Sequence, residues 1–173
     1  MPTITNPIRL EVLKRLSTLL ADTLDGTGGY VNNVGGRVYR GRAFYGEETP
    51  LPAISILEAP IPLDQVPSAK DNTSQMGPWE LVVQGWVKDD RENPTDPAHV
   101  LLADVKKCLA IERKKALRSY DPTEGILGLG RQVTAMYIGP GVVRPPEEIS
   151  AKAYFWLTIT LDIAEDMEDP YTI

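Results

Sequence analysis

The chain has 173 residues, of which 42% are apolar and 24% charged, proportions typical of one globular domain rather than of a disordered or fibrous protein. Its formal charge of −6 disfavours a dedicated nucleic-acid-binding protein, because neutralising phosphates requires a net basic face. No apolar run is long enough for a membrane helix and no leader-like pattern opens the chain, so we expect a protein made in the cytoplasm without a membrane segment.

The first predicted element is an amphipathic helix that ends before Gly26. Asn6 is a good N-cap residue, and Pro7 suits the first helical position. The apolar residues that share one face of this helix are Ile8, Val12, Leu16, Leu19 and Leu20.

Two short strands are predicted next. The first covers residues 37–42 and places Arg40 and Arg42 on the same side as Val38, because side chains alternate along a strand. The second covers residues 53–58.

Residues 59–78 interrupt the regular elements with a run of polar residues and prolines. The prolines are Pro60, Pro62, Pro67 and Pro78. The segment is too long for a hairpin turn and has no periodic pattern, so we predict an extended arm.

A third strand is predicted at 79–88. Its first face carries Trp79, Leu81, Val83, Gly85 and Val87. Val82 and Trp86 make its second face partly apolar.

The second helix is predicted to begin at Asp96 as the cap, with proline following it. Its apolar stripe is Ala98, Leu101, Leu102, Val105, Cys108 and Leu109. Its basic C-terminal end complements the helix dipole, which accounts for part of that charge without a ligand.

Two strands, at 131–138 and 151–163, complete the fold and are joined through a proline-rich connection at 139–146. Residues 165–173 are predicted to be an acidic flexible tail. The order of elements predicts a single α+β domain over residues 1–173. In this domain a mixed, mostly antiparallel sheet of four to five strands is flanked by two helices, with long proline-rich loop arms.

The sequence offers little for catalysis. His99 is the only histidine and lies in the first turn of the second helix, where a surface histidine is a commoner interpretation than a general base. Cys108 lies on the apolar stripe, which favours a buried, inert thiol over a nucleophile. We therefore predict that the protein is not an enzyme.

No metal or cofactor site is predicted. The acidic run at 89–96 lacks the spacing of a calcium loop and is better interpreted as a solvated connection. The glycine-rich stretches at 26–29 and 125–130 lack the lysine-serine/threonine ending of a phosphate loop.

Three arginines, Arg37, Arg40 and Arg42, lie close to Tyr39 and Tyr45. A basic strand with aromatic residues is one arrangement that contacts nucleic acid. In an acidic chain, pairing of these arginines with carboxylates of a neighbouring element or subunit is the commoner alternative.

The chain resembles the tail-terminator (tail completion) proteins of long-tailed bacteriophages over most of its length, from about residue 8 to 163. The resemblance depends on the N-terminal helix, the Gly-Arg-Val-Tyr-Arg-Gly-Arg strand at 36–42, the Glu-Thr-Pro-Leu-Pro-Ala-Ile-Ser-Ile run at 48–56, and the strand and helix at 79–86 and 96–105.

This resemblance implies a hexameric ring in the virion that caps the finished tail tube, stops its polymerisation and presents a joining surface to the head. The implied partners are other copies of the chain, the tail-tube protein and a connector or neck protein, with passing contact to DNA in the lumen. The family has no catalytic residues to transfer. Alternatives are a head-closure or neck component, a small enzyme, and a nucleic-acid- or ligand-binding module.

Both interpretations as an assembly protein require surfaces that fit head to tail. Proline-stiffened arms suit such contacts, because they lose little conformational freedom on docking. The predicted contact residues are Arg37, Arg40, Arg42, Pro60, Pro62, Pro67, Val142 and Arg144.

Overall fold

The computed structural model describes residues 5–59, 73–116, 123–146 and 152–171. Within these ranges the elements are α1 (Ile8–Thr23), β1 (Val38–Arg40), β2 (Ala53–Glu58), β3 (Ser74–Lys88), α2 (Asp96–Arg113), β4 (Val133–Ile138), β5 (Val142–Arg144) and β6 (Lys152–Asp166). Two short 3-10 turns, Ile126–Gly128 and Gly130–Gln132, precede β4. The predicted α+β class with a mostly antiparallel sheet is confirmed.

The strands form one sheet in the order β1-β2-β3-β6-β4, and β5 also pairs with β6. Only the pair of β1 and β2 is parallel. The two longest strands, β3 and β6, pair from Ser74 opposite Asp166 to Lys88 opposite Lys152. This pair is the centre of the sheet, and the predicted alternation along β6 accounts for it because one buried face fixes the register.

Both helices pack on one face of the sheet. The predicted apolar face of β3 is buried, as are Phe155, Leu157 and the other alternate residues of β6. These side chains form a single core with the apolar stripes of α1 and α2. Neither helix covers the opposite face of the sheet, which we call the open face.

Both helices begin one residue away from the predicted caps. Pro7 rather than Asn6 precedes α1, and the Asn6 amide donates instead to Glu11 at 2.9 Å. Thr95 caps α2, and Asp96 is its first helical residue. A polar residue next to a proline marks a helix start without fixing which of the two residues caps it.

The predicted arm at 59–78 is too long at its C-terminal end. Residues 74–78 belong to β3 and pair with β6, because the long alternating strand β6 offers them partners that the local sequence does not reveal. Proline lacks an amide hydrogen and is tolerated in a strand where no neighbouring strand needs that hydrogen. Strand β2 ends opposite Leu81, so among the described residues no strand lies on the β2 side of β3 at Pro78. Residues 60–72 of the arm lie outside the described residues.

The predicted tail also begins too early. Residues 165 and 166 are the end of β6, and the Arg9 guanidinium pairs with the Glu165 carboxylate at 2.9 Å. Arg9 lies in addition 5.1 Å from the Trp79 ring centroid. These contacts join α1 to the far end of the central strands. No helix among the described residues is long and apolar enough to cross a membrane.

Candidate functional site

The three predicted contact arginines bind other parts of their own chain. Arg37 donates to the Pro52 carbonyl oxygen at 2.9 Å, and Arg40 donates to the Ser17 hydroxyl at 2.8 Å. Arg42 lies 4.6 Å from the Tyr39 ring centroid. The observed partners of these arginines are a carbonyl oxygen, a hydroxyl and an aromatic ring, whereas carboxylates were the partners favoured from sequence.

The prediction that Arg42 shares a side with Val38 and Arg40 is wrong. Arg40 lies on the helix side, where it contacts α1. Gly41 has a φ of +70°, a conformation that ends the strand and its alternation. Arg42 therefore lies on the open face with the tyrosines.

The other two described contact candidates also lie on the open face. Val142 of β5 is opposite Trp156, and Arg144 is opposite Tyr154. Val142 is 45% exposed and Trp156 is 44% exposed. Part of the predicted connection at 139–146 therefore forms a strand, because it pairs with the edge of β6. Pro60, Pro62 and Pro67 lie outside the described residues.

A continuous row of aromatic rings crosses the open face from β1 to β6, and we call it the aromatic strip. Its successive ring centroids are 5.8, 5.5, 4.9 and 5.6 Å apart, distances at which tilted rings attract each other. The strip consists of Tyr39, Tyr45, Trp86, Tyr154 and Trp156.

A groove of about 680 Å³ runs beside the aromatic strip. Phe44, Val82, Trp86 and Trp156 contribute its apolar walls, and the buried Gln84 amide contributes polar surface. Phe44 is 88% exposed, although it is one of the chain's two phenylalanines. A groove with large exposed rings is suited to bury apolar surface of a partner.

The loop 42–49 covers the β1 end of the aromatic strip. Lys152 donates to the Gly46 carbonyl oxygen at 2.7 Å and anchors the loop to β6. Burial raises the pKa of Tyr45, while the nearby Ser55 hydroxyl and Arg42 oppose that rise. Although Ser55 is near enough to have this effect, the two hydroxyls do not reach hydrogen-bond geometry.

The residues weighed for catalysis do not gather into a site. His99 is exposed on α2, whereas Cys108 is 2% exposed. Burial raises the pKa of the Cys108 thiol and disfavours the reactive thiolate. The predicted burial of Cys108 is confirmed.

The acidic run and the glycine-rich run have structural roles. The Asp90 carboxylate accepts the amides of Glu92 and Asn93 at 2.9 and 2.8 Å, which shapes the turn before α2. In the glycine-rich stretch at 125–130, Gly125, Gly128 and Gly130 have positive φ and form the tight turns before β4. Among the described residues, no group of three or more histidine, cysteine or acidic side chains could hold a metal ion.

Comparison with known proteins adds little to this geometry. No family model matches the chain, and no curated protein matches it. One solved chain without a descriptive name is similar over 90% of this chain and 94% of its own length, at 11% identity and a TM-score of 0.45. A similarity this distant carries no functional argument.

From sequence, Tyr39 and Tyr45 could be grouped with the neighbouring arginines, but not in one row with Trp86, Tyr154 and Trp156. The apolar second face of the third strand, with Val82 and Trp86, was the available signal. Only the register, which puts Gln84 opposite Trp156 and Trp86 opposite Tyr154, brings the rings of the two strands together.

Proposed function

We propose that the protein is a structural subunit of a phage virion, a tail terminator that forms a ring on the tail tube and joins it to the head. The open face with its aromatic strip is the observation that supports an assembly role. The resemblance of the sequence to tail terminators is the reason for proposing this particular assembly, a ring on the tail tube.

The composition of the open face supports binding to another protein. Tryptophan, tyrosine and arginine are the residues that contribute most to binding energy at protein interfaces. Trp156 and Phe44 expose large apolar surface, and Arg144 lies beside Tyr154 at the edge of the strip. A partner that covers these rings gains roughly 25 cal/mol for each Å² of apolar surface removed from water.

A closed ring requires two different surfaces on each subunit, and a second candidate lies on the helix side. On the outer side of α2, Val100 and Ile111 are 40% and 50% exposed. Exposed lysines and Arg113 surround Ile111 at the C-terminal end of this helix. The open face and the outer side of α2 are different in shape and chemistry, which suits a head-to-tail contact.

The arms have a defined place in this proposal. The 139–146 segment contributes Val142 and Arg144 to the rim of the aromatic strip. The other arm follows β2, whose last residues, Leu57 and Glu58, line the groove. Contacts of either arm with a neighbouring subunit or with the tube would therefore extend the open face rather than form a separate site.

The experiment is a tube-growth assay viewed by electron microscopy. The tail-tube protein encoded nearest to this chain is polymerised alone and with the purified protein. We expect shorter tubes that carry a ring at one end. Binding to head or connector particles instead would favour the neck alternative, and unchanged tubes with no binding to either would contradict both.

A further inference from the structure

We propose that residues 42–49 form a strap that opens in the free protein and uncovers the Ser55 hydroxyl and the Trp86 indole nitrogen, which are buried at the β1 end of the aromatic strip. The use of the opened surface in assembly rests on the proposed function, whereas the opening itself does not. The strap runs from Arg42 to Thr49, between the end of β1 and the start of β2.

The strap is attached to the sheet by side chains only. Among the described residues, its one backbone–backbone hydrogen bond is internal, from the Thr49 amide to the Gly46 carbonyl oxygen at 3.1 Å. The Lys152 ammonium group, which donates to Gly46, holds the strap to β6. A segment without backbone pairing to its neighbours opens at lower free energy than the sheet beneath it.

Arg42 and Tyr45 supply the remaining attachment. The Arg42 guanidinium lies 4.6 Å from the ring centroid of Tyr39 on β1, whereas its hydrogen bonds to the Phe44 carbonyl oxygen and the Thr49 hydroxyl, both at 3.2 Å, are internal to the strap. Tyr45 in turn packs against Tyr39 and Trp86. The contacts that join this part of the strap to the sheet are therefore between rings, or between a ring and a cation. Many orientations satisfy such contacts, so they do not fix the strap in one position.

The closed strap leaves polar atoms without partners. In the described part of the chain, no hydrogen-bond partner reaches the Tyr45 hydroxyl, the Ser55 hydroxyl or the Trp86 indole nitrogen, and all three atoms are buried. Ser55 is fully buried beneath the strap, at 0% exposure. Buried polar groups without partners are uncommon and unfavourable, so opening is favoured by the hydrogen bonds that these atoms then make.

The strap also holds Phe44 in water beside the groove. When the strap opens, the groove extends from Trp156 across Trp86 to Tyr39. The uncovered floor then combines apolar rings with two polar atoms, the Ser55 hydroxyl and the Trp86 indole nitrogen. The strap thus limits exposure of the rings while it is closed and enlarges the groove when it opens.

The test follows exchange of the Trp86 indole hydrogen with solvent in the dilute free protein, by heteronuclear NMR. The signals of Trp79, Trp86 and Trp156 are assigned by replacing each with phenylalanine. Because the Trp86 nitrogen is buried without a partner, its hydrogen is protected by the covering strap. We expect this hydrogen to exchange at least about a hundredfold faster than the slowest amides of β3 and β6, which require global unfolding.

Two matched variants identify the attachment. Lys152→Met removes the contact to Gly46 and should speed the exchange about tenfold, the effect of one charged hydrogen bond. Lys88→Met, at the position opposite Lys152, makes the same charge change and should leave the rate unchanged. Tyr45→Phe keeps the ring, removes one unpartnered hydroxyl and should slow the exchange.

The proposal is overturned if the Trp86 hydrogen exchanges only as slowly as the core amides, or if Lys152→Met leaves its rate unchanged. Faster exchange in Tyr45→Phe would also contradict it, since the hydroxyl would then be bonded in the closed state. These outcomes concern the isolated chain and are independent of the tube-growth assay. A strap that opens in a protein without effect on tubes would leave the opening established and reject the assembly role.

Discussion

Gly85 of β3 lies directly opposite Phe155 of β6, and the phenylalanine ring occupies the space that a side chain at Gly85 would need. A Cβ atom added at Gly85 would lie 2.6 Å from Cζ of the ring. The glycine therefore allows the largest fully buried side chain of the core to lie flat across the central strands.

Gly85→Ala is expected to destabilise the fold by about 1–3 kcal/mol, the usual cost of overpacking a core. Urea denaturation measures the change. Gly77→Ala is the matched control, because Gly77 is on the same strand and a Cβ there meets nothing within 4 Å. The double variant Gly85→Ala with Phe155→Leu should recover part of the loss, and equal effects at the two glycines would contradict the packing argument.

Glu112, a buried acidic residue of α2, is expected to be sensitive to substitution. It is 3% exposed, and its carboxylate accepts the Leu127 amide at 2.7 Å. Glu112→Ala leaves that amide unpaired and should lower the free energy of unfolding by about 2–3 kcal/mol. Lys115→Met removes only the exposed partner of Glu112 and should cost about 1 kcal/mol or less. A larger effect in the lysine variant would contradict this assignment.

The ion pair of Glu11 and Arg15 predicts a pH dependence. The hydrogen bond from Arg15, 2.7 Å long, holds the pKa of Glu11 below its ordinary value of 4.5. A carboxyl group whose pKa is lower in the folded state stabilises above its unfolded pKa and loses that contribution as the pH falls through the folded value.

Glu11→Gln should therefore lower the free energy of unfolding at pH 7 by about 1 kcal/mol or less, since the pair is partly exposed. Below the folded pKa, the electrostatic part of this difference should disappear. Urea denaturation of the two proteins across the acidic range measures it. A cost that stays the same at every pH would mean that packing rather than charge stabilises this pair.

Cys108 should be chemically inert in the folded protein. Its burial against the core and its raised thiol pKa both limit the thiolate available to reagents. We expect a colorimetric disulfide reagent to label the native chain at least about a hundredfold more slowly than the chain in urea. Rapid labelling of the native chain would show that α2 detaches from the sheet far more easily than its packing indicates.

The periodic segments of this fold could be predicted from sequence because burial on one side produces alternation. Strand β2 has the predicted bounds, and the apolar stripe of α2 is buried as expected. The ends of β3 and β6 could not be predicted, because residues 74–78 and 164–166 become strands by pairing with each other.

The candidate site could be predicted only in part, for the same reason. The sequence indicates that Val142 and Arg144 contact a partner, but not that both lie beside the rings of β6. It groups the three arginines in one strand, whereas the turn at Gly41 separates Arg42 from Arg40. Contacts across strands depend on register, and an isolated stretch of sequence does not contain the register.

The most direct test of the assembly proposal is the mass of the purified protein, alone and with the tail-tube protein, measured by light scattering and checked by electron microscopy. Trp156→Ser removes the exposed ring of the open face, and Val31→Ser is the control, since Val31 is 74% exposed away from the aromatic strip. We predict a hexameric ring, free or on tube ends, for the natural sequence and for Val31→Ser, and its loss in folded Trp156→Ser. A protein that stays monomeric with tubes present, or a Trp156→Ser variant that assembles normally, would contradict the proposal.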